Sequence, residues 1–524
     1  MASDSDPSIV GVGASAGGVK ALQSFFEALP DEPNAAFVVI VHLDPESRSQ
    51  LADILATRTP MPVSQVNETA KLENNHVYVI APNSRLLISD HIISAVPFDE
   101  PRFHRAPIDL FFRSLSDQHA NGRIYGVILT GAGTDGANGV KALKEAGGII
   151  LVQDPKEAEY PSMPRNAIDA EIADFVLPIR SLAQQLTDLL NDGEKGSVTP
   201  VQDTDEETLR RILGHLRIRI GHDFSLYKRA TILRRIARRM QVTRQDSLSD
   251  YYAYLRENPE EAQSLFADFL ISVTTFFRDP HAFNLLASDV ISVLFEGKDA
   301  AGSIRVWVPG CATGEEAYTL AILLLEEAAR RDLRPELQVF GTDLDVRALA
   351  VAREGRFPAT IEADISDERL RRFFLREGEH YRVRRELRDV VLFSNHSLLR
   401  DPPFSRVDMI SCRNLLIYLD RELQQQVCNT FHYALNPGGF LFLGASESAD
   451  QPAGLFRAID RDARIYRSTG NPAEKRSALP MLLGPRQAAE GGPAVPRPSS
   501  PGANIGDAAL HRQMLEKIAP QACW

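Results

Sequence analysis

SIVGVGASAGGVKAL, residues 8–22, decides how the first part of this chain is read. An apolar run ends in glycines and passes straight into apolar residues at helical spacing, which describes a buried strand, a tight turn and a helix. The spacing Gly11-x-Gly13-x-x-Ala16 fits a dinucleotide fingerprint, which asks for an acid at the end of the second strand to meet the ribose. That strand, in AAFVVIVHLDP, ends instead on His42 with Asp44 beyond it, a poor ribose partner but a good base. The same turn sets Ser15 between Gly13 and Gly17–Gly18, where small neighbours let a hydroxyl project and amides at the helix start can face an oxyanion. A further strand end, in ILTGAGTDGANG, supplies Asp135. From the residues alone three readings stand: Ser15, His42 and Asp135 as nucleophile, base and orienter, a phosphate or nucleotide loop, or glycines with a purely structural role.

Outward from this turn, SIVGVGA, AAFVVIVHL, HVYVIA, RIYGVILTG and GIILVQD alternate with amphipathic segments such as VKALQSFFEAL and PIDLFFRSLSDQ. That is the pattern of a mostly parallel sheet covered on both faces, with NSRLLISDHIISAVP as a small antiparallel hairpin beside it. Residues 1–190 thus read as one α/β domain. The stretch 191–207 is rich in Gly, Pro and acids and reads as a linker. Residues 208–280 carry apolar side chains at three- and four-residue spacing and predict a small helical subdomain. Alternation resumes over 281–468 with IRVWVPG, LQVFGTD, VVLFSN, VDMISCR and GFLFLGA. Residues 469–524 are a Pro- and Gly-rich tail, expected to be disordered, in which LHRQMLEKIA could begin a helix. The predicted fold class is α/β, with two separate doubly wound catalytic domains and an all-helical subdomain before the second.

With 524 residues the chain is too long for one ordinary core, and 44% hydrophobic residues suit a soluble globular protein. A net charge of -12 argues against a nucleic-acid binder. Residues 210–239 are the exception, holding ten Lys or Arg against one acid, Asp223. The 4 cysteines are too few and scattered for a disulfide framework or a zinc site, so no metal is expected and a reducing, cytoplasmic setting fits. No apolar run has the length of a bilayer span, and the first residues lack a signal-peptide pattern, so direct membrane insertion is not expected.

In the second α/β segment, IRVWVPGCATGEEAYTLAILLLEEA is a strand, a glycine-containing loop and a long amphipathic helix, and VFGTDLD puts Asp343 at the next strand end. This is the layout in which a loop holds the tail of a nucleoside and an acid accepts from ribose hydroxyls. No P-loop lysine is present, and Glu315 with Glu316 would repel a polyphosphate but attract a cationic cofactor such as S-adenosylmethionine. The alternative is that these acids only cap the first helical turn. Cys311 has no evident metal or nucleophilic partner.

GASAGG, VIVHLDP, PIDLFFRSL, ILTGAGTDGANG and QDPKEAEYPSMPRNAI, in this order, resemble the catalytic domain of the chemotaxis-receptor protein-glutamate methylesterase, the CheB type, over about residues 7–190. The resemblance implies a catalytic triad at Ser15, His42 and Asp135, hydrolysis of receptor γ-glutamyl methyl esters, and deamidation of particular receptor glutamines in many members. It also implies that Met163 lies near the catalytic opening, where the alternative is plain packing. Ala16 and Ala132 depart from the family's usual threonine and methionine. The receiver domain that commonly precedes this catalytic domain has no counterpart ahead of Val10, so phosphorylation control in cis is not expected.

FSLYKRATILRRIARRM, FLISVTTFFRD, VWVPGCATGEEAYTLA, FGTDLD, DPPFSRVDMISCRNLLIYLD and PGGFLFLGASES are similar to the chemotaxis-receptor glutamate O-methyltransferase, the CheR type, over about residues 208–468. By this resemblance S-adenosylmethionine is the cofactor, touched by Ser272, Thr274, Arg278, Glu315, Asp343, Ser397, Leu398, Asn414 and Leu415. Ser272 and Ser397 stand where the family often has asparagine, and a hydroxyl has the shorter reach. The basic helix around Arg234, Arg235, Arg238 and Arg239 suits an acidic receptor tip, with a face against the other domain as the alternative. EGEHYRVRRELRDVVLF resembles a small strand insertion that anchors some members to receptors. Together the halves resemble a fusion of two opposed chemotaxis adaptation enzymes, whose expected partners are the cytoplasmic tips of methyl-accepting receptors. The competing expectations are a signalling scaffold with a weak esterase that binds S-adenosylmethionine, and a methyltransferase for an unrelated carboxylate.

Overall fold

The computed structural model describes residues 7–44, 49–89, 91–98, 105–117, 123–170, 172–195, 203–270, 273–298 and 302–469. The first lobe is built on a seven-stranded sheet ordered Phe175–Leu177, Ile149–Gln153, Ile124–Ile128, Ser8–Ala14, Ala35–Val41, His76–Ile80, Val63–Val66. Every pairing in it is parallel. Chain order reverses between strands Ser8–Ala14 and Ile124–Ile128, which is where open parallel sheets gather their chemistry.

Alternation along the opening strand assigns its faces. Val10, Val12 and Ala14 join Leu22, Phe25, Leu182 and Leu186 from helices Gly18–Glu27 and Ile179–Lys195 in one core layer. Ile9 joins Ile108, Phe112, Val140 and Leu143 from helices Pro107–Ser116 and Ala137–Glu145 in the other. Gly13 faces this second layer, and a Cβ there would lie 2.7 Å from Ile108 Cγ2. The glycine spacing of the opening motif thus serves close helix-on-strand packing. A separate antiparallel sheet pairs Ser84–Ser89 with Ile92–Pro97 and the latter with Thr69–Lys71, as the hairpin pattern predicts.

The second lobe carries another seven-stranded sheet, ordered Val391–Asn395, Glu336–Asp343, Ser303–Pro309, Val407–Cys412, Leu435–Leu443, Ile465–Ser468, Phe456–Asp460. Its first five strands run parallel and the last two pair antiparallel. Trp307 is fully buried, and its indole N–H donates to Thr342 Oγ1 at 3.0 Å, tying together the two strand ends that carry the glycine loop and Asp343. Within the EGEHYRVRRELRDVVLF segment, His380–Val383 is the middle strand of a small antiparallel sheet, flanked by Phe374–Glu377 and Arg356–Pro358.

Between the lobes lie helices Asp203–Ile220, Arg229–Thr243, Leu248–Glu257 and Pro259–Phe269, packed through Ile212, Leu216, Ile236, Tyr251 and Leu265. The segment read as a linker is shorter than the sequence suggests. Helix Ile179–Lys195 runs into it from one side and helix Asp203–Ile220 from the other. The Pro- and Gly-rich tail from 470 onward lies outside the described residues. Among the described residues no helix is long and apolar enough to cross a membrane, and no cluster of three or more potential ligands could hold a metal ion.

Candidate active sites

Ser15, His42 and Asp135 leave the carboxyl ends of neighbouring parallel strands and meet there. Ser15 Oγ lies 2.8 Å from His42 Nδ1, and His42 Nε2 lies 2.8 Å from Asp135 Oδ2. A carboxylate only accepts, so the Nε2 position carries the ring proton and Nδ1 turns its lone pair to the hydroxyl. Asp135 is fixed by two backbone donors at the start of helix Pro107–Ser116: Ile108 N–H to Oδ2 at 3.1 Å and Asp109 N–H to Oδ1 at 2.9 Å. Close packing of that helix on Gly13 brings those amides within reach.

The electrostatics favour a basic imidazole. Burial lowers the His42 pKa, but the hydrogen bond and charge of Asp135, with the charge of Asp109, outweigh it and raise the value above the usual 6.5. Asp109 itself is pushed up to about 7, first by burial and then by the charge of Asp135. Met163 is buried and packs against the Asp135 loop. A Cβ on Gly131 would lie 2.8 Å from its sulfur and 2.9 Å from Ser15 Cβ, so this glycine lets the loop close over the serine. Met163 is therefore a packing residue behind the loop that carries Asp135. A cleft beside His42 is lined by Asn83, Phe98, Arg105 and Pro107.

The second site is a cleft at the carboxyl edge of the other sheet. Thr274, Arg278, Asp343, Ser397, Leu398, Asn414 and Leu415 line it. Ser272 lies outside the described residues. Glu315, expected from the resemblance to touch the cofactor, is not among the residues that line the cleft, and its carboxylate accepts from Thr313 Oγ1 at 2.6 Å. Glu316 lines the cleft in its place and accepts from Ser411 Oγ at 2.6 Å. Two adjacent acids at a helix start point in directions about 100° apart, and the sequence carries no mark of which one faces the cleft.

Burial raises the pKa of Glu316, partly offset by Arg413, and burial likewise raises that of Asp343, which accepts from Ala312 N at 2.8 Å and Asp345 N at 2.9 Å. Two desolvated carboxyl groups favour a cationic ligand. Ser397 Oγ is buried on the cleft wall without a hydrogen-bond partner, a polar atom left for a ligand to satisfy. Leu398 and Leu415 give apolar surface for a flat ring. These features fit a nucleoside cofactor with a positive centre. Cys311 is buried and its thiol pKa is pushed far up, consistent with packing alone. Phe276 and Phe277 sit in the core.

The basic helix is where the structure departs most from a receptor-docking face. Arg235 and Arg238 are each 1% exposed. Arg238 pairs with Asp174 of the first lobe and with Asp268, and its Nε donates to the Gly148 carbonyl at 3.0 Å. Arg235 donates to the Lys144 carbonyl at 2.9 Å, and Arg239 pairs with Glu261. Arg235 and Arg238 bind the helical subdomain to the first lobe instead of facing solvent. Tyr418, which sequence reasoning passed over, lines the cleft, and its hydroxyl donates to Glu145 of the first lobe.

A hydroxyl, imidazole and carboxylate in register on one sheet define a serine hydrolase arrangement, and the acid-lined cleft on the other defines a nucleoside-cofactor site. Residues 10–186 match the CheB methylesterase family, 207–270 the all-alpha domain of CheR methyltransferase and 272–465 its SAM binding domain. A 104.1 kDa protein encoded in the hypE 3' region of Rhodobacter capsulatus is 36% identical over 441 residues, which are 80% of this chain and 46% of that protein. The chain thus spans about half the length of that relative. A putative methyltransferase Cher3 of Pseudomonas putida is 32% identical over 285 residues, 52% of this chain and 100% of its own length. A putative protein-glutamate methylesterase/protein-glutamine glutaminase of Leptospira interrogans is 36% identical over 174 residues, 33% of this chain and 90% of its own. The chain belongs to both the CheB methylesterase and the CheR methyltransferase families, fused in one polypeptide, and S-adenosylmethionine is the cofactor of its second lobe.

Proposed function

We propose that this protein makes and removes methyl esters on glutamate side chains of chemotaxis receptors, the two lobes working in opposite directions on one kind of group. The observation that carries the reading is the unbroken Ser15–His42–Asp135 hydrogen-bond chain, 2.8 Å at each link between side chains, in a polypeptide that also binds S-adenosylmethionine.

In the esterase lobe, His42 Nδ1 takes the Ser15 proton as the oxygen attacks the ester carbonyl. Asp135 holds the opposite ring N–H and stabilises the imidazolium, which then protonates the departing methoxide so that it leaves as methanol. Backbone amides at the Gly17 turn, ahead of helix Gly18–Glu27, would face the oxyanion. Water, activated by the same imidazole, releases the free glutamate. Attack on a glutamine amide would expel ammonia by the same steps.

In the transferase lobe, S-adenosylmethionine when bound supplies an activated methyl group. Thr274, Arg278, Asp343, Ser397, Leu398, Asn414 and Leu415 are proposed to hold it, with Glu316 in the place assigned from sequence to Glu315. A glutamate acceptor is already ionised near neutral pH and needs no strong base. The residues contribute alignment and exclusion of water. Arg278, whose guanidinium donates to the Val273 carbonyl at 2.6 Å, lies where it can steer a carboxylate.

Incubation with labelled cofactor and receptor fragments, followed by mapping of base-labile label, tests the transferase. Methanol release from methylated fragments, and its loss in Ser15→Ala, tests the esterase. Label on some other acceptor alone, or methanol release that survives Ser15→Ala, overturns the reading.

A further inference from the structure

The cofactor cleft is closed on one side by the esterase lobe. Of the described residues that line it, Glu145 alone comes from that lobe, and it is a glutamate, the same kind of side chain as the proposed acceptor. It ends helix Ala137–Glu145, whose N-terminal side follows directly on Asp135. Its Oε1 accepts from the Tyr418 hydroxyl. Burial and the Glu145 charge raise the phenol's pKa, so it remains a donor, while the charges of Arg235 and Arg278 act on the same group in the opposite sense.

The position of Glu145 is held from behind. Arg235 donates to the carbonyl of Lys144, the preceding residue, and Arg238 ties the first lobe to the helical subdomain through Asp174 and Gly148. A second cleft runs along the seam between the lobes, lined by Arg113, Arg234 and Asp364, and shares Glu145, Arg278 and Tyr418 with the cofactor cleft. A side chain reaching the cofactor by way of the seam passes Glu145.

We propose that Glu145 occupies the acceptor position of the transferase lobe, an internal glutamate that an incoming receptor glutamate must displace. This rests on the reading of the transferase as a glutamate methylating enzyme. The carboxylate has a hydroxyl donor in Tyr418 and the guanidinium of Arg235 nearby, the partners that an acceptor carboxylate requires, and among the described residues it sits on the one element of the esterase lobe that reaches the cleft. Methylation is then coupled to lobe docking, because loosening the contacts at Lys144 and Asp174 withdraws the competitor.

The test uses the full chain, wild type and Glu145→Ala, with an unmethylated receptor fragment. Calorimetry without cofactor reads fragment affinity, and labelled cofactor reads transfer. If the internal glutamate fills the position about nine-tenths of the time, its removal tightens fragment binding and lowers the acceptor KM by about tenfold. In wild type, fragment binding should also raise hydrogen exchange at the end of helix 137–145. Unchanged or weaker fragment binding by Glu145→Ala, or no change in exchange while the fragment binds, overturns the proposal and leaves the methyltransferase reading intact. If neither form labels any fragment glutamate, that reading fails, and the acceptor position fails with it.

Discussion

Asp135→Asn is the most exposing perturbation of the esterase site, because every group facing that carboxylate is a donor. Oδ2 receives His42 Nε2–H and Ile108 N–H, and Oδ1 receives Asp109 N–H. An asparagine has one acceptor to offer. With its oxygen toward Asp109, the NH2 group meets His42, the ring proton moves to Nδ1, and the base can no longer accept from Ser15. With its oxygen toward His42, the tautomer survives but the NH2 group confronts Asp109 N–H in a buried site, at about 1–3 kcal/mol. Both orientations leave one amide unsatisfied and both remove the charge opposite the imidazolium. Loss of that charge alone should cost about 10²–10³ in rate, and the wrong tautomer about 10⁴. The expected fall in kcat/KM for methanol release is therefore at least about 10²-fold, or about 2.7 kcal/mol of transition-state stabilisation. Ser15→Ala sets the floor of the assay. If Asp135→Asn keeps more than a tenth of the wild-type rate while Ser15→Ala is inactive, the carboxylate does not orient the base, and the hydrogen-bond chain is only structural.

Since the general base must be neutral and the His42 pKa lies above 6.5, ester hydrolysis should rise with pH through a midpoint above 6.5; a midpoint at or below that value removes the role given to Asp135 and Asp109. Asp109 has a folded pKa of about 7 against 3.8 unfolded, so its contribution to stability is full below about 4 and lost as pH rises through 7. Urea midpoints should fall over that window, and Asp109→Asn should flatten the fall. Glu316→Gln should weaken S-adenosylmethionine binding about tenfold, with less effect on the uncharged product, whereas Glu315→Gln should leave calorimetric affinity near wild type. Arg238→Met removes the ion pairs of the buried Asp174 and Asp268, leaving Lys144 3.4 Å from Asp174 and the charges of Arg235 and Arg239 acting on Asp268; an unfolding free energy lower by about 3 kcal/mol is expected, and a change under 1 kcal/mol would show the network to be dispensable.

Much of the fold can be read from periodicity because both sheets are buried on two faces, so their strands appear as unbroken apolar runs such as AAFVVIV and the helices between them keep a 3.6-residue stripe. The edges of these units are less legible. Helices Ile179–Lys195 and Asp203–Ile220 enter a stretch whose Gly, Pro and acids suggest a linker, since local composition there says little about where a helix ends. The esterase residues Ser15, His42 and Asp135 are legible for a topological reason: in a parallel sheet the carboxyl ends of adjacent strands converge, so three strand-end side chains are brought to one edge without any long-range coincidence. The choice between Glu315 and Glu316 is different in kind. It depends on the rotation of helix Glu315–Arg331 about its own axis, which the packing of Ala317, Leu320 and Leu324 fixes and the motif does not record.

The arginines of helix Arg229–Thr243 show what a linear pattern conceals. In sequence they form a basic stripe, which ordinarily lies in solvent and attracts an acidic partner. The carboxylates that pair with the buried Arg238 are Asp174 and Asp268, at separations of 64 and 30 residues along the chain, and no property of the stripe announces either. A guanidinium is buried only when paired and hydrogen-bonded, so the burial of Arg238 requires that the esterase lobe be docked at its Asp174. The same docking sets Lys144 against Arg235 and Glu145 against Tyr418. An acidic receptor segment cannot then reach Arg235 and Arg238 while the lobes are joined, and has either to use the seam beside Arg113 and Arg234 or to compete with Asp174 for the helix. In both cases the basic helix acts first on the chain's own other half, so the acceptor affinity of the transferase lobe is set by how firmly the esterase lobe is held.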